Sequence, residues 1–442
     1  MEFSRFTALT NKSNHMRNFI LLLFVLNVAN SSAQDVKGIY GDTNWLRTWT
    51  NFKPKSTEYR ESNTLLTGVI SQNTVLKNSQ IYLLTGVVYV TNGATLFIEP
   101  GTVIRGDSET DGLLVIAKGA KLVAIGDEAN PIVFTSNKPS SERKAGDWGG
   151  LIIMGDAPTN KFSKQLDFTL EANYSSYGGD NVDSDSGVLK YVRIEFAGKK
   201  GKHKKSLNAL SLAGVGKNTL LSNIQVSFSG DDSFEFYGGN VNVDKLISFR
   251  AIDDDFDFTE GVQCTINNCL AVRSSFISSP EGSRSMEIES YEQAVDADMS
   301  KKPTYVEANY MTFINDNNEV QSISNEAVFI KERSSLSLKN SIITGYKIGI
   351  VFDDQIKGNV YSLEPYKFEN ILFNNCTEGN FTSENNAYTT FIAQNYKRED
   401  LFIENNDVES PVLFMDNDLK KTPDFRFKSA MVLASKDVTK KN

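Results

Sequence analysis

Apolar and polar residues alternate along this chain in short runs that recur at nearly constant spacing. Val192, Ile194 and Phe196 form one run, and Ile224, Val226 and Phe228 the next. Ile247, Phe249 and Ala251 follow, then Leu270, Val272 and Ser274. Alternation with a period of two predicts strands. The steps from Ile224 to Ile247 and from Ile247 to Leu270 are 23 residues each. Later runs around Met311–Phe313, Ile342–Ile343 and Ile371–Phe373 come at wider spacing, which predicts loops inserted at turns. Past the first thirty or so residues no amphipathic helical pattern is evident. Strands repeating about every two dozen residues predict a parallel β-helix, in which each coil lies on the last at about 4.8 Å. Residues distant in sequence then become vertical neighbours.

The turns agree. Asn223, Asn268, Asn340 and Asn370 each stand just before one of these runs. Asparagine tolerates the left-handed backbone of a tight corner, and stacked asparagines hydrogen-bond along a ladder. Asp244-Lys245 lacks this residue, so an interruption is expected there. The early segments Thr91–Ile104, with its Pro100-Gly101 corner, Gly119–Gly126 and Pro131–Thr135 follow the same design. The β-helix is therefore assigned to 64–425. Residues 34–63, aromatic-rich and without the repeat, are expected to be an N-terminal cap or linker, and 426–442 a C-terminal tail.

The first 33 residues carry a different signal. Arg17, an apolar run from Phe19 to Val28, and small residues up to Ala33 predict a secretory signal peptide cleaved after Ala33. The run is too short to span a bilayer, and no later stretch is long enough. No cysteine follows closely, so lipid anchoring is not supported. Export is expected, with the mature chain secreted or associated with the outer membrane.

Composition narrows the chemistry. The net charge of −9 on 442 residues and the absence of any nucleic-acid signature argue against a nucleic-acid partner. After the signal His203 is the only histidine, which excludes histidine-based hydrolase triads and multi-histidine zinc sites. Cys264, Cys269 and Cys376 are an odd number in an exported chain, so no disulfide framework is expected.

Several blocks resemble a known family. Asn92–Leu96 leading to Glu99–Thr102, Gly146–Gly150, Gly187–Gly198, Ser229–Glu235 and Asp253–Asp257 are similar to blocks in uncharacterised exported right-handed parallel β-helix proteins of Bacteroidetes. The likeness runs from about Thr64 to Phe425. It implies an all-β, pectate-lyase-like solenoid and export, and it implies no activity. Many such proteins carry a C-terminal sorting domain for a dedicated secretion system. None is read here, which leaves surface attachment open.

The strongest candidate site is acidic. Phe234-Glu235-Phe236 and Phe256-Asp257-Phe258 lie 22 residues apart, one coil. If the phenylalanines point inward, Glu235 and Asp257 stack outward, with Glu287 of Met286-Glu287-Ile288 as a third rung. Asp231, Asp232, Asp253, Asp254 and Asp255 crowd the adjoining corner. Carboxylates about 5 Å apart repel by roughly 0.8 kcal/mol per pair even in water. A calcium ion with oxygen ligands at about 2.4 Å would compensate. So would Arg250, Arg273 and Arg284, with some aspartates only bonding turn amides.

Two enzyme readings stand beside this. Gly230-Asp231-Asp232 resembles the paired acids of polygalacturonases, but the histidine-glycine and arginine-isoleucine-lysine motifs of those enzymes are missing. Pectate and alginate lyases combine calcium with an arginine or lysine base, a part open to Arg250, Arg273 or Arg284. Trp148 is a candidate for stacking on a sugar ring, or a core residue at a glycine corner. The basic loop Lys199–Lys205 is a candidate contact for an anionic glycan or lipid headgroup, or a solvated insertion. The preferred expectation is a non-catalytic exported protein binding an extracellular glycan or envelope protein, with calcium as the one cofactor in view. A calcium-dependent polysaccharide lyase or other carbohydrate-active enzyme is the alternative.

Overall fold

The structure, a computed structural model, describes residues 36–200, 206–274, 279, 282–316 and 325–428. The signal segment, His203 and most of the basic loop lie outside them. Lys37–Lys428 form the body of the protein, a right-handed parallel β-helix with three walls. Wall three is a continuous eleven-stranded sheet, from Val69–Ile70 to Gly379–Ser383. Walls one and two merge into one sheet, because strands such as Gly187–Glu195, Leu220–Ser227 and Asn240–Phe249 bend around their shared corner.

That corner is where the asparagines act. Asn223, Asn268, Asn340 and Asn370 take left-handed backbone, with φ of 53, 57, 50 and 56°. Asn370 Nδ2 donates to Asn340 Oδ1 at 2.7 Å, and Asn340 Nδ2 to Asn309 Oδ1 at 2.8 Å. Lys245 adopts the same backbone with φ 54°. The side-chain ladder is thus interrupted there, but the corner is not.

Register corrects one step of the sequence reading. Ile224 pairs with Leu246, a coil of 22 residues, and Ile247 pairs with Leu270. A one-residue slip exchanges the faces of a strand. Leu246 therefore joins Ile224 in the core, whereas Ile247, Phe249, Leu270 and Val272 point outward. Inside wall three, Phe234 stacks on Phe256 at 5.4 Å and Phe236 on Phe258 at 4.6 Å. The cysteines are unpaired.

An outward apolar face must be covered, and 37–60 covers it. This segment is neither an end cap nor a linker but a strap along wall two. Gly38 N–H donates to Asn340 O at 2.8 Å, Ile39 N–H to Thr312 Oγ1 at 2.8 Å, and Tyr40 N–H to Asn268 Oδ1 at 3.0 Å. Further on, Asn51 N–H donates to Gln225 Oε1 at 2.7 Å, Tyr59 Oη to Glu195 at 3.0 Å, and Arg105 Nη1 to Arg60 O at 3.0 Å. Partner numbers fall as strap numbers rise, so the strap runs from the last coils back toward the first. Gly38 has φ +67°, and a Cβ there would meet Thr312 Oγ1 at 2.5 Å. Ile39, Leu46, Trp49 and Phe52 bury themselves against Phe196, Phe249 and Val272.

A hairpin following the last coil clamps the strap. Phe414–Asp416 pairs antiparallel with Asp424–Phe427, and Phe425 packs on Phe52 at 6.2 Å. Residues 426 and 427, assigned from sequence to the tail, belong to this hairpin, and 429–442 lie outside the described residues. The helix Asn386–Asn395, which its sequence pattern did not announce because only Ile392 in it is buried, closes the last coil beside Tyr396. An insertion at 155–186 covers the first part of wall three, burying Leu166 and Tyr177 against Ile152, Met154 and Tyr237.

Candidate functional site

Beyond the insertion, wall three carries charge instead of apolar side chains. With the phenylalanines inward, register sets Glu235 opposite Asp257, Asp257 opposite Glu287, and Glu287 opposite Phe329. Two residues along each strand, Tyr237, Thr259, Glu289 and Lys331 face the same side. The corner from wall two adds Asp231, Asp232, Asp253 and Asp254. Together with Arg284 these groups line a cleft of about 690 Å³, with Lys200 and Ser206 at its edge.

Its centre is Asp232. Carboxylate oxygens of Asp232, Glu235 and Asp257 all lie within 4.8 Å of one another, and so do those of Asp232, Asp253 and Asp254. Asp232 Oδ1 accepts Asp254 N–H at 2.8 Å, Asp254 Oδ1 accepts Arg284 N–H at 2.5 Å, and Asp253 accepts Ser279 Oγ at 2.9 Å. Glu235 accepts from Asn208 Nδ2 and Tyr237 Oη. Asp257 Oδ1 is buried and has no hydrogen-bond partner.

Electrostatics follow from this crowding. Burial pushes the Asp232 carboxyl well above the usual range, and Asp231 and Asp257 push it further. Burial does the same to Asp257, reinforced by Glu235 and Glu287, and to Asp254, reinforced by Glu287 and Asp253. Among the described lining residues the cations are Lys200, Arg284 and Lys331. Arg284 pairs with Glu287 at 3.0 Å and Glu326 at 3.1 Å, and Lys331 with Glu287 at 2.5 Å and Glu289 at 2.6 Å. Burial opposes the charge on both, but the carboxylates outweigh it and raise both pKa values. Among the described residues no lysine or arginine pairs with Asp232, Asp254 or Asp257.

The structure thus gathers Asp231, Asp232, Glu235, Asp253, Asp254, Asp257, Glu287 and Arg284. It places the other four candidates elsewhere. Asp255 points into the core, where it meets Arg273 at 3.1 Å and accepts from Ser248 and Ser285. Arg273 is equally buried and bound to Arg284 O, so neither reaches a ligand on the surface. The face exchange at Leu246 explains this: Ser248 and Arg273 fall on inward positions and need each other's polar company. Arg250 lies across the corner, 3.7 Å from Asp316 and over the Phe249 ring. Trp148 is fully buried, donates to Glu195 O at 2.8 Å and packs parallel to Phe134. A Cβ on Gly106 would lie 2.4 Å from its indole, so this tryptophan is core and does not stack on a sugar. Sequence reasoning missed Glu289, Lys331 and Phe329. Glu289 was findable as the next outward residue after Glu287, but Lys331 follows an insertion that hides its register.

The comparison with known families decides what kind of chain this is. The pectate-lyase-like β-helix domain matches residues 68–410. The chain belongs to that family. No curated protein matches the chain, and no solved structure matches it. As a pectate-lyase-like β-helix it fits a carbohydrate-related protein, with its cleft on the outer face of one wall. No helix among the described residues is long and apolar enough to cross a membrane.

Proposed function

We propose that this chain is an exported, non-catalytic envelope or secreted protein that holds a calcium ion in the wall-three cleft and through it binds an acidic glycan. The observation that carries this reading is the pair of carboxylate trios sharing Asp232, with the Asp257 Oδ1 atom buried and unpartnered between its neighbours. Oxygens on opposite sides of calcium stand about 4.8 Å apart, since each bond is about 2.4 Å. An all-oxygen donor set favours a hard cation over zinc or copper. A calcium ion that keeps open positions at the cleft mouth would accept a uronate carboxylate, with Arg284 and Lys331 flanking it.

The non-catalytic part rests on those two cations. A lyase base must lose its proton, and the carboxylates around Arg284 and Lys331 hold theirs on. One observation favours a second reading: carboxyls whose pKa is raised by burial beside other carboxylates are also the equipment of glycoside hydrolysis. Metal analysis of the purified protein, calorimetric titration with calcium, and polyuronate binding with and without chelator test the proposal. About one bound calcium and chelator-sensitive binding are expected. Unsaturated product absorbing in the ultraviolet, or new reducing ends, would replace it with an enzyme. Export is tested by sequencing the N-terminus of the secreted protein, expected at Gln34.

A further inference from the structure

The two ends of the solenoid are finished differently. The last coil is closed by the helix Asn386–Asn395, with Ile392 buried beneath it. The first coil consists of Thr64–Leu66, Val69–Ile70 and Thr74–Leu76. Each of these strands pairs on one side only, with Ile81–Leu84, Val87–Val90 and Thr95–Ile98. Among the described residues nothing pairs with the other side. From Asn63 to Leu76 there is no charged residue and no proline. Charges and proline are two of the devices by which sheet edges avoid pairing with another chain; here only the shortness of the strands, three, two and three residues, stands in their place. The outward side chains along this rim are apolar and open to solvent: Leu65 is 68% exposed, and Val69 and Val75 are 51% exposed each.

We infer that the first coil is a dimer interface, on which a second copy of this chain docks head to head. Three arguments single out that occupant. First, a two-fold axis perpendicular to the solenoid reverses the sense in which the strands circulate. Every wall of one copy then meets an antiparallel strand of the other, and the surface is its own complement. Second, the helix over the last coil blocks the other arrangement, head-to-tail stacking into a filament. Third, the size is adequate. Half of the main-chain groups in these strands point away from the second coil. Pairing them across the axis gives about eight hydrogen bonds, within the number a standard interface carries. Leu65, Val69 and Val75 add an apolar rim around them. The cleft lies several coils away on wall three, so dimerisation leaves it open and places two clefts in one particle.

The experiment is light scattering during size exclusion on the full mature chain at about 10–50 µM, a range that populates a micromolar dimer. Twice the chain mass is expected. The L65K/V75K variant, whose added charges sit on solvent-exposed positions, is expected to run at the single-chain mass with an unchanged far-ultraviolet spectrum. Tyr361→Lys, on an exposed residue of the last coils, is expected to stay dimeric. A monomeric wild-type chain would overturn the proposal, and so would a dimer that survives L65K/V75K. Loss of the dimer in Tyr361→Lys would place the interface at the other end. None of these outcomes depends on calcium or glycan binding.

Discussion

Asp257→Asn separates a cation site from a set of structural acids by sign. The substitution keeps the side chain's shape and removes one negative charge. In metal-free protein that charge faces Glu235 and Asp232 within 4.8 Å, with Glu287 the next rung. At an effective dielectric of about 20, two unit charges at that distance repel by roughly 3.5 kcal/mol. Part of the repulsion is relieved by proton uptake, which the raised pKa values of these carboxyls favour. The amide also leaves Oδ1 no worse off, since it has no hydrogen bond to lose. In chelator the variant is therefore expected to be more stable than wild type, by about 1–3 kcal/mol on these figures. With calcium present the order changes. A ligand at a hundred times its dissociation constant stabilises by about 2.7 kcal/mol, and the wild-type chain keeps that gain while the variant forfeits most of it. Thermal melts of both proteins in chelator and in excess calcium give four midpoints. A variant less stable than wild type in chelator, or one with the same calcium shift, refutes the reasoning.

Other expectations follow from the same contacts. Asp232, Asp254 and Asp257 have pKa values raised by burial and by one another, so the folded chain binds more protons than the unfolded one. Stability of the chelated protein should therefore fall as pH rises from about 4, and melts at pH 5 and pH 8 check it, with calcium flattening the trend. Arg273→Met strands the buried Asp255 carboxylate and is expected to cost about 3–5 kcal/mol; R273M/D255L should recover most of it, measured by denaturant midpoints. Trp49→Ala removes a fully buried strap anchor. It should cost about 3–5 kcal/mol, seen as faster proteolysis within 37–60 while the coils stay intact.

How far the sequence reached can be judged residue by residue. The inward phenylalanines at 234, 236, 256 and 258 are legible because period-two alternation survives within each strand and the two strands are one coil apart. That is enough to stack Glu235 on Asp257. The slip at Leu246 was not legible. Both Leu246 and Ile247 are apolar, and only the strap, distant in sequence, makes the outward choice favourable. Arg273 and Asp255 were misplaced for the same reason: an ion pair inside the core looks, in sequence, like two surface charges. The strap was hidden by its own irregularity. It forms no strand, and its aromatic residues match a wall and a hairpin built by residues as distant in sequence as Phe249 and Phe425.

The coverings also account for where the cleft lies. Outward residues of wall two lie under the strap, the apolar ones such as Ile247, Phe249 and Val272 packed against it and polar ones such as Gln225 and Glu195 hydrogen-bonded to it. On wall three Tyr89, Val115, Ile152, Met154 and Ala213 lie under the insertion, which Glu260 holds through Tyr177 and Lys161. Past Ile152 the outward column continues through Ser211 to Glu235, Asp257 and Glu287. A wall that only needed solubility would mix its charges, as the opposite-charge pairs Lys339–Glu369 and Lys121–Asp185 do on wall one. Wall three instead gathers carboxylates in a recess, with Arg284, Lys331 and Lys200 as the cations among the described lining residues. Burying like charges together destabilises the fold unless something positive enters with them. Proton uptake by Asp232, Asp254 and Asp257 relieves part of that cost, and under the proposed function a calcium ion relieves the rest.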